Sequence, residues 1–210
     1  LKTVEKISEI STHFSECLAA NPVLIEYLPN ISDDFQEKDF RRILFEAIQN
    51  EPDYARRLAT LRKLWSRLLL EIAAFDILGK ISISDAKKQQ TKLAEASIEC
   101  AIFITKSEIE KRFSVKIESL PLAVLGLGKL GGGSLDYESD LDLVLVYEEI
   151  PNINTEIGTF FAKAVEIFIN ALSGFTRDGN LYRVDLRLRP DGKNGKTSIE
   201  KNAFFDYLKN

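Results

Sequence analysis

The stretch Gly126-Leu127-Gly128-Lys129-Leu130-Gly131-Gly132-Gly133-Ser134, followed after five intervening residues by Asp140-Leu141-Asp142-Leu143, decides how this chain is read. A short apolar run, Pro121 to Leu125, precedes it, and Asp140 to Tyr147 is a second strand candidate. Gly126, Gly128 and Gly131 spell G-x-G-x-x-G, and Glu148 stands 22 residues after Gly126, which imitates a dinucleotide fingerprint. The imitation fails on length. A Rossmann unit needs a crossover helix before its next strand, but only the eight residues Gly132 to Ser139 separate Gly131 from Asp140. A Walker A loop fails as well, because Gly128-Lys129 is followed by Leu130 and Ala123 stands where the first glycine belongs.

A glycine-rich turn joined by a short connection to a strand bearing Asp-x-Asp is what remains. Glycines let backbone N–H groups approach phosphate oxygens, and Lys129 or Ser139 can add donors, so Gly131 and Gly132 are candidate phosphate contacts. A plain tight turn accounts for the same glycines equally well. Strand parity places Asp140 and Asp142 on one face with Val144 and Val146, and Leu141, Leu143, Leu145 and Tyr147 on the other. Like charges held together call for a counter-charge. Carboxylate oxygens suit Mg²⁺, which keeps its other positions for water and substrate phosphates.

Leu181 to Arg189 alternates like a further strand, and the same parity puts Asp185, Arg187 and Arg189 on one face. If it lies beside the Asp-x-Asp strand, Asp140, Asp142 and Asp185 can together hold metal ions while Arg187 and Arg189 neutralise triphosphate charge. The competing view is a surface strand whose Asp and Arg side chains simply pair.

Upstream, to about Phe113, the sequence is helical in character. From Asp53 to Leu78 the apolar residues Leu58, Leu61, Trp65, Leu68, Ile72 and Phe75 alternate spacings of three and four, and Gly79 ends the run. Ser84 and Asp85 are expected to cap a second helix whose Leu93, Ala96, Cys100 and Phe103 repeat that spacing, giving an antiparallel pair. Arg56, Arg57, Arg62, Lys63 and Arg67 form a basic side of the first helix, read as solvated because no aromatic residues interleave with them. Ile153 to Leu172 reads as helical. The expected fold class is α+β: a helical segment over 1–113, then a mixed-sheet core over 114–210.

The 210 residues carry a net charge of −4 with a pI near 5.3, so no global basic field holds nucleic acid or an anionic membrane. No apolar run is long enough to cross a bilayer and no signal peptide is evident, so a cytoplasmic setting is expected. His13 is the only histidine, and Cys17 and Cys100 lie far apart, which excludes zinc clusters and a Ser-His-Asp triad. Chemistry must come from carboxylates. With no methionine even at position 1, the chain is read as a fragment.

The order Leu130-Gly131-Gly132, Asp140-Leu141-Asp142 and a distal Asp185 resembles the DNA polymerase β-like nucleotidyltransferase superfamily. Three strings carry a closer likeness: Gly126 to Gly132, Ser139-Asp140-Leu141-Asp142-Leu143, and Tyr182-Arg183-Val184-Asp185-Leu186-Arg187-Leu188-Arg189-Pro190. They resemble the glutamine synthetase adenylyltransferase family, and the likeness extends upstream through Ile72-Ala73-Ala74 and Leu93-Ala94-Glu95-Ala96. The resemblance implies a polymerase β-like core, with Mg²⁺ on Asp140, Asp142 and Asp185. It implies AMP transfer from ATP to a tyrosine of glutamine synthetase, or its removal with orthophosphate, and the PII signalling protein as a partner. The Ser-Asp-Leu-Asp string and the upstream helices favour the adenylylating half of such bifunctional enzymes, while Gly131-Gly132-Gly133 and Tyr182-Arg183-Val184-Asp185 favour the removing half, so the direction stays open. Gly192-Lys193-Asn194-Gly195-Lys196 departs from the family pattern after Arg189-Pro190. Uridylylation of PII and a non-catalytic nucleotide-sensing module are the alternatives.

Overall fold

The computed structural model describes residues 2–150, 156–175, 179–190, 192 and 195–209. Six helical elements come first: α1 (Lys2–Ile10), α2 (Thr12–Ala20), a 3-10 turn (Pro22–Tyr27), α3 (Phe40–Gln49), α4 (Tyr54–Ile77) and α5 (Ile83–Phe113). The core that follows comprises β1 (Leu122–Gly126), α6 (Gly128–Gly131), β2 (Leu141–Tyr147), α7 (Ile157–Ser173), β3 (Val184–Asp185), β4 (Ile199–Glu200) and α8 (Lys201–Leu208). The α+β class read from the sequence holds.

The helix ends follow local chemistry. Asp53 caps α4 by accepting from the Arg56 amide, and Gly79 with φ +67° lets the chain leave it. The cap of α5 is Ser82, two residues before the expected one: its hydroxyl accepts from the Asp85 amide and donates to the Asp85 carboxylate. At the other end Lys111 and Arg112 lie in the last turn, where cations suit the helix dipole, and Ser114 leaves in the left-handed region.

The stripe along α4 packs against α5, as its spacing demands. Leu61, Leu68 and Ile72 meet Leu93, Ala96, Cys100 and Ile104 in the main apolar cluster. The same cluster continues through Leu141, Leu143 and Leu145 of β2 and Phe160, Phe161, Phe168 and Leu172 of α7, so helices and sheet share one core. A second, smaller cluster joins Ile7, Phe14, Leu18 and Leu24 to Leu70, Ala73 and Ala74 of α4. Among the described residues, no helix is long and apolar enough to cross a membrane.

The basic side of α4 is not simply solvated. Arg62 is 1 % exposed and donates to the Asn170 and Gly174 carbonyls at the C-terminal end of α7. Arg57 lies over the Phe103 ring and donates to Ser107, and Arg67 covers Tyr27 at 4.1 Å. Three of the five cations therefore pack inward, because aromatic and carbonyl partners come from elements distant in sequence.

β2 is the central strand of the sheet. β1 runs antiparallel along one edge, while β3 and β4 pair in parallel with the other, β3 at its start and β4 at its end. Both faces of β2 are buried, which explains the unbroken apolar run from Leu143 to Tyr147. The crossover from β2 to β3 contains α7; the expected helical start at Ile153 falls outside the described residues.

Leu93, wholly buried between α4 and α5, tests the shared core. Leu93→Ala should cost about 2–5 kcal/mol in chemical denaturation, as truncation of a buried Leu generally does. Thiol labelling checks the same packing at Cys100, whose burial pushes its thiol up to about 12, whereas Cys17 is only half-buried. At pH 8 iodoacetamide should modify Cys17 in the folded protein and reach Cys100 only after denaturant is added.

Candidate active site

The site lies where β1 ends, β2 begins and β3 joins it. After Gly126 the chain turns through Leu127 into the single helical turn α6, with Gly128 at φ +54°. A side chain on Gly128 would put its Cβ 2.4 Å from Asp142 Oδ2, so the missing methyl makes room for that carboxylate. A Cβ on Gly131 would lie 2.5 Å from the Gly126 carbonyl oxygen, which is how closely α6 folds back on β1.

The glycine amides have a different task from the one the sequence suggests. The Gly131 and Gly132 N–H groups donate to the Leu127 and Gly128 carbonyls, completing α6, so neither is directed at a phosphate here. Lys129 Nζ sits 2.7 Å from Asp136 Oδ2, and Ser139 Oγ accepts from the Asp136 amide. Hydrogen bonds from Lys129 and Lys87 hold the Asp136 carboxyl below its ordinary range.

Asp142 and Asp185 are partners in the parallel register of β2 and β3, one residue after the Leu141–Val184 pair. Asp140 stands just outside the strand. Arg183 Nε donates to its Oδ1 at 2.6 Å, and a second nitrogen of Arg183 reaches the Glu138 carbonyl. Among the described residues, no hydrogen bond or ion pair reaches the Asp142 carboxylate.

The expected strand over Leu181 to Arg189 is reduced to two residues. Asp185 Oδ1 accepts from the Arg187 amide, an Asx-type turn that bends the chain before the alternation can continue, and Pro190 follows. Arg187 consequently folds back on Asp185, with Nε 2.7 Å from Oδ2. The bonded Asp185 carboxylate, with the charges of Asp140 and Asp142 beyond it, pushes the Arg187 guanidinium above its ordinary value. Arg189 turns elsewhere, donating to the Leu186 and Gly195 carbonyls and bracing the following loop.

The structure thus brings Asp140, Asp142, Asp185 and Arg187 into one electrostatic group and leaves Arg189 out of it. Among the described residues, no three acidic, histidine or cysteine side chains are already gathered as a metal cage. The donor chemistry nevertheless fits a hard divalent cation: Asp142 and Asp185 present oxygen only, in register on neighbouring strands, and the guanidiniums of Arg183 and Arg187 are among the cations that serve this group. Asp185 is the most enclosed of the ion-paired carboxylates, its side chain 13 % exposed against 41 % for Asp140.

Helices outside the sheet set the start of β3. Leu181 and Tyr182 donate their amides to the Leu172 carbonyl of α7, whose end Arg62 caps, and the Tyr182 ring meets Trp65 of α4 edge-on at 5.1 Å. The Arg183 carbonyl then accepts from the Leu141 amide, fixing the register. Arg183, missed as a site residue, had one signal in the sequence: it shares strand parity with Asp185.

A family model described as glutamate-ammonia ligase adenylyltransferase matches residues 1–210. The chain belongs to this family. It is 31% identical to a bifunctional glutamine synthetase adenylyltransferase/adenylyl-removing enzyme of Idiomarina loihiensis, over 97% of the chain and 23% of that protein. Proteins of the same description from Shewanella oneidensis and Mannheimia succiniciproducens are 34% and 33% identical, over 75% and 93% of the chain and 18% and 22% of their own lengths. The chain therefore spans about a fifth of the length of these curated relatives.

Gly128 gives a direct test of the site geometry. Gly128→Ala and Gly133→Ala both force a non-glycine residue to positive φ, which costs about 1–2 kcal/mol, but only the first meets a carboxylate. Gly128→Ala should be the more destabilising in equilibrium denaturation, by up to about 1 kcal/mol, since the free end of the Asp142 side chain must turn aside; a larger loss in Gly133→Ala would contradict the close approach of Asp142.

Proposed function

We propose that this chain is a nucleotidyltransferase core that moves AMP between ATP and a tyrosine hydroxyl of glutamine synthetase. The single observation that supports it most is the in-register pairing of Asp142 with Asp185 beside the glycine turn, in a chain of the adenylyltransferase family. Asp140, Asp142 and Asp185 would hold Mg²⁺. When bound, the metal supplies charge neutralisation at the transferring phosphate and lowers the pKa of an oxygen it contacts.

The residues of the chain do the remaining work. In the forward direction the acceptor hydroxyl attacks the α-phosphorus of ATP, the phosphorus–oxygen bond to pyrophosphate breaks, and Asp185 is the carboxylate placed to take the hydroxyl proton. Arg187 changes partner, from Asp185 to the developing negative charge of the leaving group. Lys129 and the Ser139 hydroxyl, both bonded to Asp136 in the free chain, would turn to the phosphates. In the reverse direction orthophosphate attacks the tyrosyl-AMP phosphorus, the bond from phosphorus to the tyrosine oxygen breaks, that oxygen regains its proton, and ADP leaves. ATP as substrate supports a cytoplasmic setting, with the PII protein as the regulator that the resemblance implies.

Incubating the intact protein with glutamine synthetase, Mg²⁺ and α-labelled ATP tests the forward reaction, and adding orthophosphate to labelled acceptor tests the reverse. Asp142→Asn should lower one of these rates about 100-fold or more, the scale on which single electrostatic contributors act, with the fold retained. Undiminished rates in both directions contradict the assignment.

A further inference from the structure

Between the glycine turn and Asp140 the chain crosses residues 132–140, and the helical segment grips this crossing repeatedly. Leu135, 1 % exposed, donates its amide to Thr91 Oγ1 of α5. Asp136 meets Lys87 of α5 at 2.8 Å, and Glu138 meets His13 Nδ1 of α2 at 3.1 Å. Between them Tyr137 donates its hydroxyl to Asp76 Oδ2 of α4 at 3.0 Å and sets its ring edge-on against Phe14 of α2, centroids 5.2 Å apart.

Tyr137 differs from its neighbours in what it joins. Among the described residues it is the one side chain beyond Phe113 that packs against the smaller apolar cluster of α1, α2 and α4. It also stands three residues before Asp140, and the Glu138 backbone between them is held at φ +59° with its carbonyl bound by Arg183, the partner of Asp140. Tyr137, Glu138 and Arg183 therefore form one line of contacts that ends at Asp140. A phenylalanine would fill the same apolar seat, so the hydroxyl is there for Asp76. Burial and the Asp76 carboxylate push the phenol far above its ordinary value, which keeps it a donor at every physiological pH.

We propose that Tyr137 is a positioning residue: its hydrogen bond to Asp76 and its seat on Phe14 hold the 134–140 segment so that Asp140 stands in place beside Asp142 and Asp185. The N-terminal helices are then part of the site's support, and α2 is a handle through which anything that moves it reaches Asp140. The inference rests on the nucleotidyltransferase reading, and one set of measurements separates the two.

In the intact protein, Tyr137→Phe, Asp76→Ala, Asp76→Asn and the pair Tyr137→Phe/Asp76→Ala are compared with wild type and Asp142→Asn. Amide hydrogen exchange of residues 134–142 is read without nucleotide or metal, and Mn²⁺ affinity by electron paramagnetic resonance. Tyr137→Phe and Asp76→Ala should each speed exchange in this segment and weaken Mn²⁺ about tenfold, the low end for residues that support metal ligands. The double variant should be no worse than either single one, and Asp76→Asn, which keeps an accepting oxygen, should restore both readouts. A lowered melting temperature with wild-type exchange and Mn²⁺ affinity overturns the positioning role. Mn²⁺ binding lost in Asp142→Asn but intact in Tyr137→Phe overturns this inference alone, whereas wild-type protein that binds no Mn²⁺ overturns the nucleotidyltransferase reading and this inference with it.

Discussion

Parallel pairing across only two residues, Leu141 with Val184 and Asp142 with Asp185, determines whether the carboxylates of this chain meet. So short a ladder has little stability of its own. It persists because both of its strands are fixed from elsewhere: β2 by burial on both faces and by β1, and β3 by the end of α7 and the Trp65–Tyr182 contact. Arg62 is central to the second support. A buried guanidinium is costly to desolvate, and here it is aimed at two carbonyls of a helix terminus, where orphan acceptors and the negative end of the dipole both favour it.

Electrostatics explains the arrangement around that ladder. Three aspartates would repel one another without counter-charge, and the residues flanking the strand that supplies the third include Arg183 and Arg187. Asp142 lies against a glycine that yields the space of a methyl group, so its oxygen approaches the start of α6 as no larger residue would permit. The ion pairs on Asp140 and Asp185 are partly open to solvent and modest in strength. Under the proposed function, they are the pairs that a divalent cation and a polyphosphate would exchange for their own.

Much of this was legible in the sequence because it depends on local period. The α4 and α5 stripes follow from three-and-four spacing, and the exclusion of a dinucleotide loop follows from chain length alone. Other features required the fold. The alternation from Leu181 to Arg189 looks like a strand, but Asp185 captures the Arg187 amide and ends it after two residues. Gly131 and Gly132 are the residue type that phosphate loops use, yet where their N–H groups point is decided by the single turn α6. Arg62 is indistinguishable from a solvated helix cation until the end of α7 arrives beside it. The split at residue 113 follows the change of texture in the sequence, while the apolar core runs across it from α4 and α5 into β2 and α7.

If the proposed function is right, Asp142 and Asp185 share one ligand across the β2–β3 ladder. A crystal of the intact protein grown with Mn²⁺ and a non-hydrolysable ATP analogue, with anomalous data collected for manganese, tests it most directly. A manganese peak is expected within about 2.0–2.3 Å of an oxygen from each of these two aspartates, with Arg187 withdrawn from Asp185 toward the nucleotide phosphates. Manganese bound away from the ladder, with Arg187 still folded on Asp185, would contradict it.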